Sequence, residues 1–295
     1  MNKKKSMWKK LILLIVFLIC YFIVNEVQDS YPEPEISNEP SAEFLSQIPE
    51  YDGKAYYVLN DNIPGFTEDE LTTESYEFYS KLDGLGRCGA AIACVGQDLM
   101  PTESRGDIYE VKPTGWDSVM YDIVENDSLY NRCHLIGFQL SGENANEKNL
   151  ITGTRYMNTE GMLDFENEIA EYVKSTGNHV LYRVTPYFEG TNLVASGVQM
   201  EAYSVEDNGD GVCFNVFAYN VQPGITIDYS DGSSALEQVN PDAAYTYILN
   251  TNSKKFHREG CENAEEIKES NRDIYNGTRE HLTAQGYKPC GSCNP

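Results

Sequence analysis

Arg132, His134 and Asn158, in the middle of this 295-residue chain, have the types and spacing to act together. An imidazole is largely unprotonated near neutral pH and can accept a proton there. A buried asparagine needs hydrogen-bond partners or a metal to compensate for the water it loses. A guanidinium offers paired donors to an anionic oxygen. A second group lies near the C-terminus. His257 and Cys261 stand four apart, Cys290 and Cys293 form a CxxC knuckle, and together they supply four tetrahedral Zn²⁺ ligands.

The elements around the first group follow from residue pattern. In NRCHLIGFQL, residues 131–140, the apolar Leu135, Ile136, Phe138 and Leu140 predict a buried strand. SGENANEKN is too polar for core and reads as a loop. An apolar turn follows, then a helix from about Thr154 whose Met162, Phe165, Ile169 and Val173 form one inward stripe. Extended backwards, that stripe reaches Asn158 and Arg155. A strand carrying a histidine, a loop, and a helix presenting an inward asparagine is the layout of a ββα-metal site.

On these residues the chain resembles the DNA/RNA non-specific endonuclease family, over roughly residues 55 to 220. The family's Arg-x-His strand motif matches Arg132 and His134, and its Tyr-Met-Asn-like helical turn matches Asn158 in NLITGTRYMN. The resemblance implies Mg²⁺-dependent hydrolysis of DNA and RNA phosphodiesters with little sequence preference. His134 is then the general base, Asn158 the direct Mg²⁺ ligand and Arg132 a phosphate ligand. Glu166, two turns past Asn158 at the edge of the same face, would support a metal-bound water. MPTESRGDIYEVKPTGW is similar to a family loop that lines the substrate cleft. Arg87 or Arg105 is expected to grip a phosphate, and Arg155 to orient the substrate. Two departures bear on local loop geometry: Cys133 stands where the family has Gly, and Asn131 where it has Asp. Thiol catalysis by Cys133 is rejected, because adjacent strand residues point to opposite faces.

Five segments are expected. Residues 1–26 carry five lysines and then an uncharged apolar run at 11–24, and no small-x-small cleavage site follows. They read as a signal anchor with the lysines inside and the rest of the chain facing outward from the cell membrane, a cleaved signal and secretion being the alternative. Residues 27–50 are an acidic, proline-dotted linker. Residues 51–225 form the nuclease domain, 226–243 a linker, and 244–295 a small zinc-binding domain that resembles Ada-like metal-binding tails. The fold class is α+β, a ββα-metal core on an antiparallel sheet. AYYVLN and GAAIACV predict strands, and EDELTTESYEFYSKLDGLG a short helix. After the helix bearing Asn158, three alternating segments predict an antiparallel meander with a hairpin turn at NGDG. The tail is expected to hold a YILN/KKFH hairpin and helical stretches around AEEIKESN and TREHLTAQ.

Charge argues against a broad basic groove. Past residue 24 there are 17 basic residues against 46 acidic ones, a net of −29. Nucleic-acid affinity normally comes from Lys and Arg on phosphates, so it should here be modest and local. Two rival readings stand beside this one: a non-catalytic cell-surface binding protein with a decayed site, and a metal-dependent hydrolase of another phosphodiester, which would tolerate the charge better. Outside the cell, Cys88, Cys94, Cys133 and Cys213 admit two disulfides in three connectivities, although Cys88 and Cys94 on one extended strand are roughly 20 Å apart.

Overall fold

Period-two alternation builds the main sheet. The strands are β1 (Tyr56–Val58), β2 (Tyr76–Tyr79), β3 (Ala91–Val95), β4 (Tyr130–His134), β5 (Leu150–Thr154), β6 (Val180–Tyr187), β7 (Gly197–Ser204) and β8 (Cys213–Tyr219). Six of them form one antiparallel sheet in the order β1-β8-β7-β6-β3-β2. In β3, Ala91, Ala93 and Val95 face one buried cluster while Ile92 and Cys94 face another, as successive strand residues must. The computed structural model describes residues 41–237 and 245–295, and residues 39–295 form one compact unit. The anchor expected over 1–26 lies outside the described residues. No helix among the described residues is long and apolar enough to cross a membrane.

Both faces of the sheet are covered. On one side, the short helix α1 (Ser41–Leu45) brings Phe44 into a stack on Tyr187, with ring centroids 3.9 Å apart. The stretch expected as linker therefore packs against the core from residue 41 onward, because its aromatic and aliphatic side chains cap Tyr187 and Phe217. On the other side lie the separate β4–β5 pair, the one-turn helix α2 (Phe138–Ser141) and the long helix α3 (Leu163–Thr176). Small side chains on the receiving strands, Ala91, Ala93, Ala202 and Ala218, let this layer approach closely. Met162, Ile169 and Val173 are buried against it, each contributing about 1.5–3 kcal/mol by transfer from water. α3 ends at Gly177, whose φ of 77° is the left-handed conformation that favours glycine.

Several expectations are corrected. EDELTTESYEFYSKLDGLG is not a helix. Glu68–Glu70 form one 3₁₀ turn, and Tyr76–Tyr79 are β2, paired with β3 in the register Phe78↔Ile92. Sheet pairing of a β-branched- and aromatic-compatible YEFY run outweighs its helical spacing. The predicted strand over 131–140 stops at His134, and the apolar turn before Asn158 is instead the second strand, β5, of a two-stranded pair. Part of the 226–243 linker is a small hairpin, β9 (Ile225–Ile227) with β10 (Ser234–Leu236). No disulfide links Cys88, Cys94, Cys133 and Cys213, which are all free.

The C-terminal segment has its own four-stranded sheet, ordered β13-β11-β12-β14, from β11 (Tyr245–Asn250), β12 (Lys255–Arg258), β13 (Arg272–Gly277) and β14 (Lys288–Pro289). β11 and β12 are the expected hairpin. Helices α4 (Glu262–Glu265) and α5 (Arg279–Ala284) are shorter than their sequence suggested, and β13 was not foreseen. Ile169→Ala should leave a cavity at the α3–sheet contact and cost about 2–5 kcal/mol. Urea unfolding should show a lower midpoint with an unchanged slope.

Candidate active site

β4 and β5 pair antiparallel with His134 opposite Leu150 and Arg132 opposite Thr152. The chain leaving β4 is clamped by buried Asn149, whose Oδ1 accepts from the Ile136 N–H at 2.8 Å and whose Nδ2 donates to the Ile136 carbonyl at 3.0 Å. At the far end of β5, buried Asn220 accepts from the Thr154 N–H and donates to the Thr152 and Ala195 carbonyls. Thr154 Oγ1 then accepts from the Met157 N–H at 3.0 Å, which starts the helical turn. Met157–Met162 is a π-helical turn leading into α3. The wider turn carries Asn158, and such turns are frequent at functional sites.

His134 is buried at the end of β4. Its Nε2 lies 2.8 Å from the Asn144 carbonyl, and a carbonyl only accepts, so Nε2 carries the proton. Nδ1 is left as the basic atom, with the Arg105 Nη2 donating to it at 3.3 Å. Burial, followed by the positive charge of Arg105, pushes the imidazole down to about 4, against the pull of its hydrogen bond to Asn144. The ring is therefore neutral at physiological pH, the form that can take a proton from water.

Glu166, on the first turn of α3, is buried and accepts from the Gly137 N–H. Burial pushes its carboxyl up to about 8, only partly offset by that hydrogen bond and by Arg105. A Cβ on residue 137 would come within 2.5 Å of Glu166 Oε2, so only glycine leaves room for the carboxylate. Asn158 is half-buried, its amide oxygen 3.1 Å from Cys133 Sγ. Asn144 Oδ1 and Asn131 Nδ2 are buried without a hydrogen-bond partner. Glu166, Asn158 and Asn144 each offer a hard oxygen, the Glu166 carboxyl buried and Asn144 Oδ1 buried without a partner. Such a set fits a hydrated divalent cation.

The other expected residues are placed differently. Arg105 is brought to His134. Arg132 lies over the Trp116 ring at 4.1 Å and donates to the carbonyls of Val111 at 2.5 Å and Tyr109 at 3.0 Å. It is thus committed to the loop preceding β4. Arg87 pairs with Asp83 at 2.7 Å and donates to the carbonyls of Gly190 and Asn192, a structural clasp. Arg155 pairs with Glu125 at 3.0 Å. It lines a cavity of about 690 Å³ with Thr159, Glu160, Lys255, Asn263 and Ser292, and neither His134 nor Asn158 lines that cavity. Sequence reasoning missed Gly137, Asn144, Asn149 and Asn220. The only signal was the density of Gly and Asn between residues 137 and 149.

In the tail, the nitrogen of His257 and the sulfurs of Cys261, Cys290 and Cys293 all lie within 4.8 Å of one another, and all four residues are buried. The Arg258 N–H donates to Cys293 Sγ at 3.4 Å and Asn263 Nδ2 to Cys290 Sγ at 3.8 Å. Hydrogen bonds from the Cys261 and Cys293 thiols hold Cys290 down towards the thiolate.

A β4–β5 pair carrying a neutral histidine, followed by a helix that bears Asn158 and Glu166, has the layout of the ββα class of metal-dependent nucleases. Residues 67–206 match the model of the DNA/RNA non-specific endonuclease family. It is 25% identical over 214 residues to a deoxyribonuclease of Streptococcus dysgalactiae subsp. equisimilis, a match covering 58% of this chain and 64% of that protein, which is less than two thirds of the relative's length. The crystal structure of NucA from Streptococcus agalactiae with magnesium ion bound is similar at a TM-score of 0.58 and 25% identity, covering 67% of this chain and 94% of NucA. The structure of Sda1 nuclease with bound zinc ion shares the fold at a TM-score of 0.54 and 24% identity, covering 62% of this chain and 97% of Sda1.

Gly137→Ala should force a methyl group onto the Glu166 carboxylate. Nuclease activity should fall by about tenfold or more while the circular dichroism spectrum is kept. The imidazole also makes folding pH-dependent. The unfolded His134 takes a proton near pH 6.5, whereas the folded ring resists until about 4. The unfolded state therefore binds more protons within that window, and stability falls as pH drops through it, by roughly 3 kcal/mol in all. Glu166, raised to about 8, contributes with the opposite sign over much of the same range. The imidazole's share is therefore the difference between the parent and His134→Ala in denaturant melts of the metal-free protein at pH 7, 6, 5 and 4. That difference should shrink as pH falls.

Proposed function

We propose that this chain is a divalent-metal-dependent endonuclease that hydrolyses DNA and RNA phosphodiesters with little sequence preference. The observation that carries the reading is the fixed tautomer of His134. Its Nε2–H is spent on the Asn144 carbonyl and its Nδ1 is presented as a base beside Arg105. Asn158 would ligate Mg²⁺ and Glu166 would support one of its waters; the ion when bound supplies Lewis-acid stabilisation of the charge on the phosphorane and the leaving oxygen.

The chain's own residues supply the remaining steps. Arg105, whose guanidinium faces the imidazole, moves onto a phosphate oxygen and frees Nδ1. His134 Nδ1 takes the proton of the attacking water, and the Asn144 carbonyl keeps the ring in line as it becomes charged. Gly137 leaves room for the Glu166 carboxyl, which would accept from a water of the ion. Substrate grip is local. Arg87, Arg155 and Arg183 are tied to carboxylates, so a domain of strong negative charge meets the phosphate backbone through few contacts.

The reading extends to both ends of the chain. The basic, then apolar, N-terminal segment supports a membrane-anchored enzyme whose catalytic domain faces outward, or a secreted one if that segment is cleaved. His257, Cys261, Cys290 and Cys293 support a structural Zn²⁺ site. With four protein ligands it leaves no position for water and takes no part in hydrolysis.

His134→Ala should lower plasmid cleavage by about 10²–10⁴-fold with the fold intact. Asn158→Ala should raise the Mg²⁺ concentration needed for half-maximal rate. A wild-type rate in His134→Ala, or cleavage that persists in EDTA, would refute the mechanism. For the tail, the purified protein should contain one equivalent of zinc, and Cys290→Ser should lose it. Protein without zinc, in which Cys290 and Cys293 are oxidised, counts against the site.

A further inference from the structure

Tyr109 takes no part in the proposed chemistry, yet it is the most exposed large hydrophobic side chain among the described residues, at 71%. A single exposed aromatic is ordinary on a protein surface. This one stands on a turn built beside the imidazole. Residues 105–111 run along the face of β4 that carries Arg132 and His134, two residues and about 7 Å apart on one side of the strand. Arg105 at the start of the run reaches His134 Nδ1. The carbonyls of Tyr109 and Val111 at its end accept from Arg132 at 3.0 and 2.5 Å.

The turn is fixed from several sides. The Val111 N–H donates to the Ile108 carbonyl at 3.2 Å, which places Tyr109 at the tip. Asp107 Oδ1 accepts from the Tyr109 N–H at 2.8 Å, and the Asp107 carbonyl accepts from Asn144 Nδ2 at 3.3 Å. The Asn144 carbonyl in turn holds His134 Nε2. All of these bonds use the backbone of residue 109 or groups on other residues, so none depends on the ring. The ring itself meets the Arg132 guanidinium, 5.5 Å from its centroid, and is otherwise largely open to solvent. An aromatic plane already held still loses little freedom when a second plane settles on it.

We propose that Tyr109 is a stacking platform for an unpaired nucleobase near the scissile phosphate, and that the preferred substrate class is therefore single-stranded nucleic acid. The inference rests on the reading of this site as a nuclease. Every base has a π-face, so stacking holds a strand without choosing a sequence. A base inside a duplex must first be unstacked and unpaired before it can meet a side chain in this way. Charge favours the same class. A duplex carries its phosphates twice as densely as one strand, and this chain has a net charge of −24 with Arg87, Arg155 and Arg183 paired to carboxylates. Stacking draws on no charge, so it adds affinity that the acidic surface does not oppose.

The test compares Tyr109→Phe and Tyr109→Ala with the parent in the full chain. Binding is read with Mg²⁺ in a His134→Ala background, by fluorescence anisotropy of three labelled oligonucleotides. One is a single strand of mixed sequence, one is that strand in a duplex, and one is an abasic strand of tetrahydrofuran units with equal charge. Tyr109→Ala should weaken binding of the base-bearing single strand by about 5–100-fold and leave the other two within about twofold. Tyr109→Phe keeps the ring and should bind like the parent. With His134 restored, Tyr109→Ala should raise KM on the single strand and keep kcat, as for a contact equally strong in ground and transition states. Equal losses on the base-bearing and abasic strands would mean that the residue acts through the turn or Arg132, and would overturn the proposal. Parent-like binding by Tyr109→Ala, or a parent that binds duplex more tightly than the single strand, would also overturn it. In each of these cases a parent that cleaves DNA or RNA with Mg²⁺ keeps the nuclease reading. A parent that cleaves neither removes that reading, and the proposal falls with it.

Discussion

The hydrogen bond from His134 Nε2 to the Asn144 carbonyl is the interaction on which the rest of the site depends. It spends one ring nitrogen as a donor, so the other can only be a base, and it fixes the plane in which that base points. A carbonyl can do this only if the loop bearing it is held. Asn149 holds it, pairing its amide with both backbone groups of Ile136 while its own carbonyl accepts from the Leu135 N–H. The polar loop between β4 and β5 is thus cross-linked to the strand it follows.

Charge is handled by placement. The domain is strongly acidic, and most of its described arginines are spent on carboxylates or carbonyls, as with Arg183 between Glu70 and Glu201. Arg105 is the guanidinium set against the imidazole. Opposite it sits a carboxylate in a setting that opposes its ionisation, Glu166 behind Gly137. Isolated buried charge is costly unless a counter-charge arrives. On the proposed reading, such a site would bind a cation and, through that cation, an anionic backbone that the acidic surface would otherwise repel.

The scaffold keeps these groups in register by burying the α3 stripe on a sheet face of small side chains. Met157 and Met162 bracket the π-helical turn from inside, both buried in the main cluster. Flexible thioethers fill irregular space well, which suits a turn that departs from α-helical spacing. The tail repeats the problem at smaller scale. Its two apolar clusters are small, and one of them is built largely around Cys261, Cys290 and Cys293. A domain of that size usually needs a metal or disulfides to hold it together.

The sequence by itself determined the parts that rest on local pattern. The period-two meander from β6 to β8, the inward stripe of α3, the Arg-x-His and Tyr-Met-Asn signatures and the HxxxC/CxxC spacing could all be read from neighbouring residues. Tertiary structure alone decided which polar groups meet. Nothing local marks Arg105 rather than Arg87, Arg132 or Arg155 as the guanidinium beside His134, because each is an arginine in a loop, a strand end or a helix start. The first meets the imidazole only through the path of the loop before β4, while the others find carboxylates, carbonyls or rings brought from distant segments. YEFY became a strand for the same reason: its partner β3 lies beyond the reach of local propensity, and hydrogen bonds to that partner outweigh the spacing within the run. The space at Gly137 and the amide clamps of Asn149 and Asn220 follow from contacts between segments, since excluded volume and buried hydrogen bonding are properties of packed neighbours rather than of sequence order.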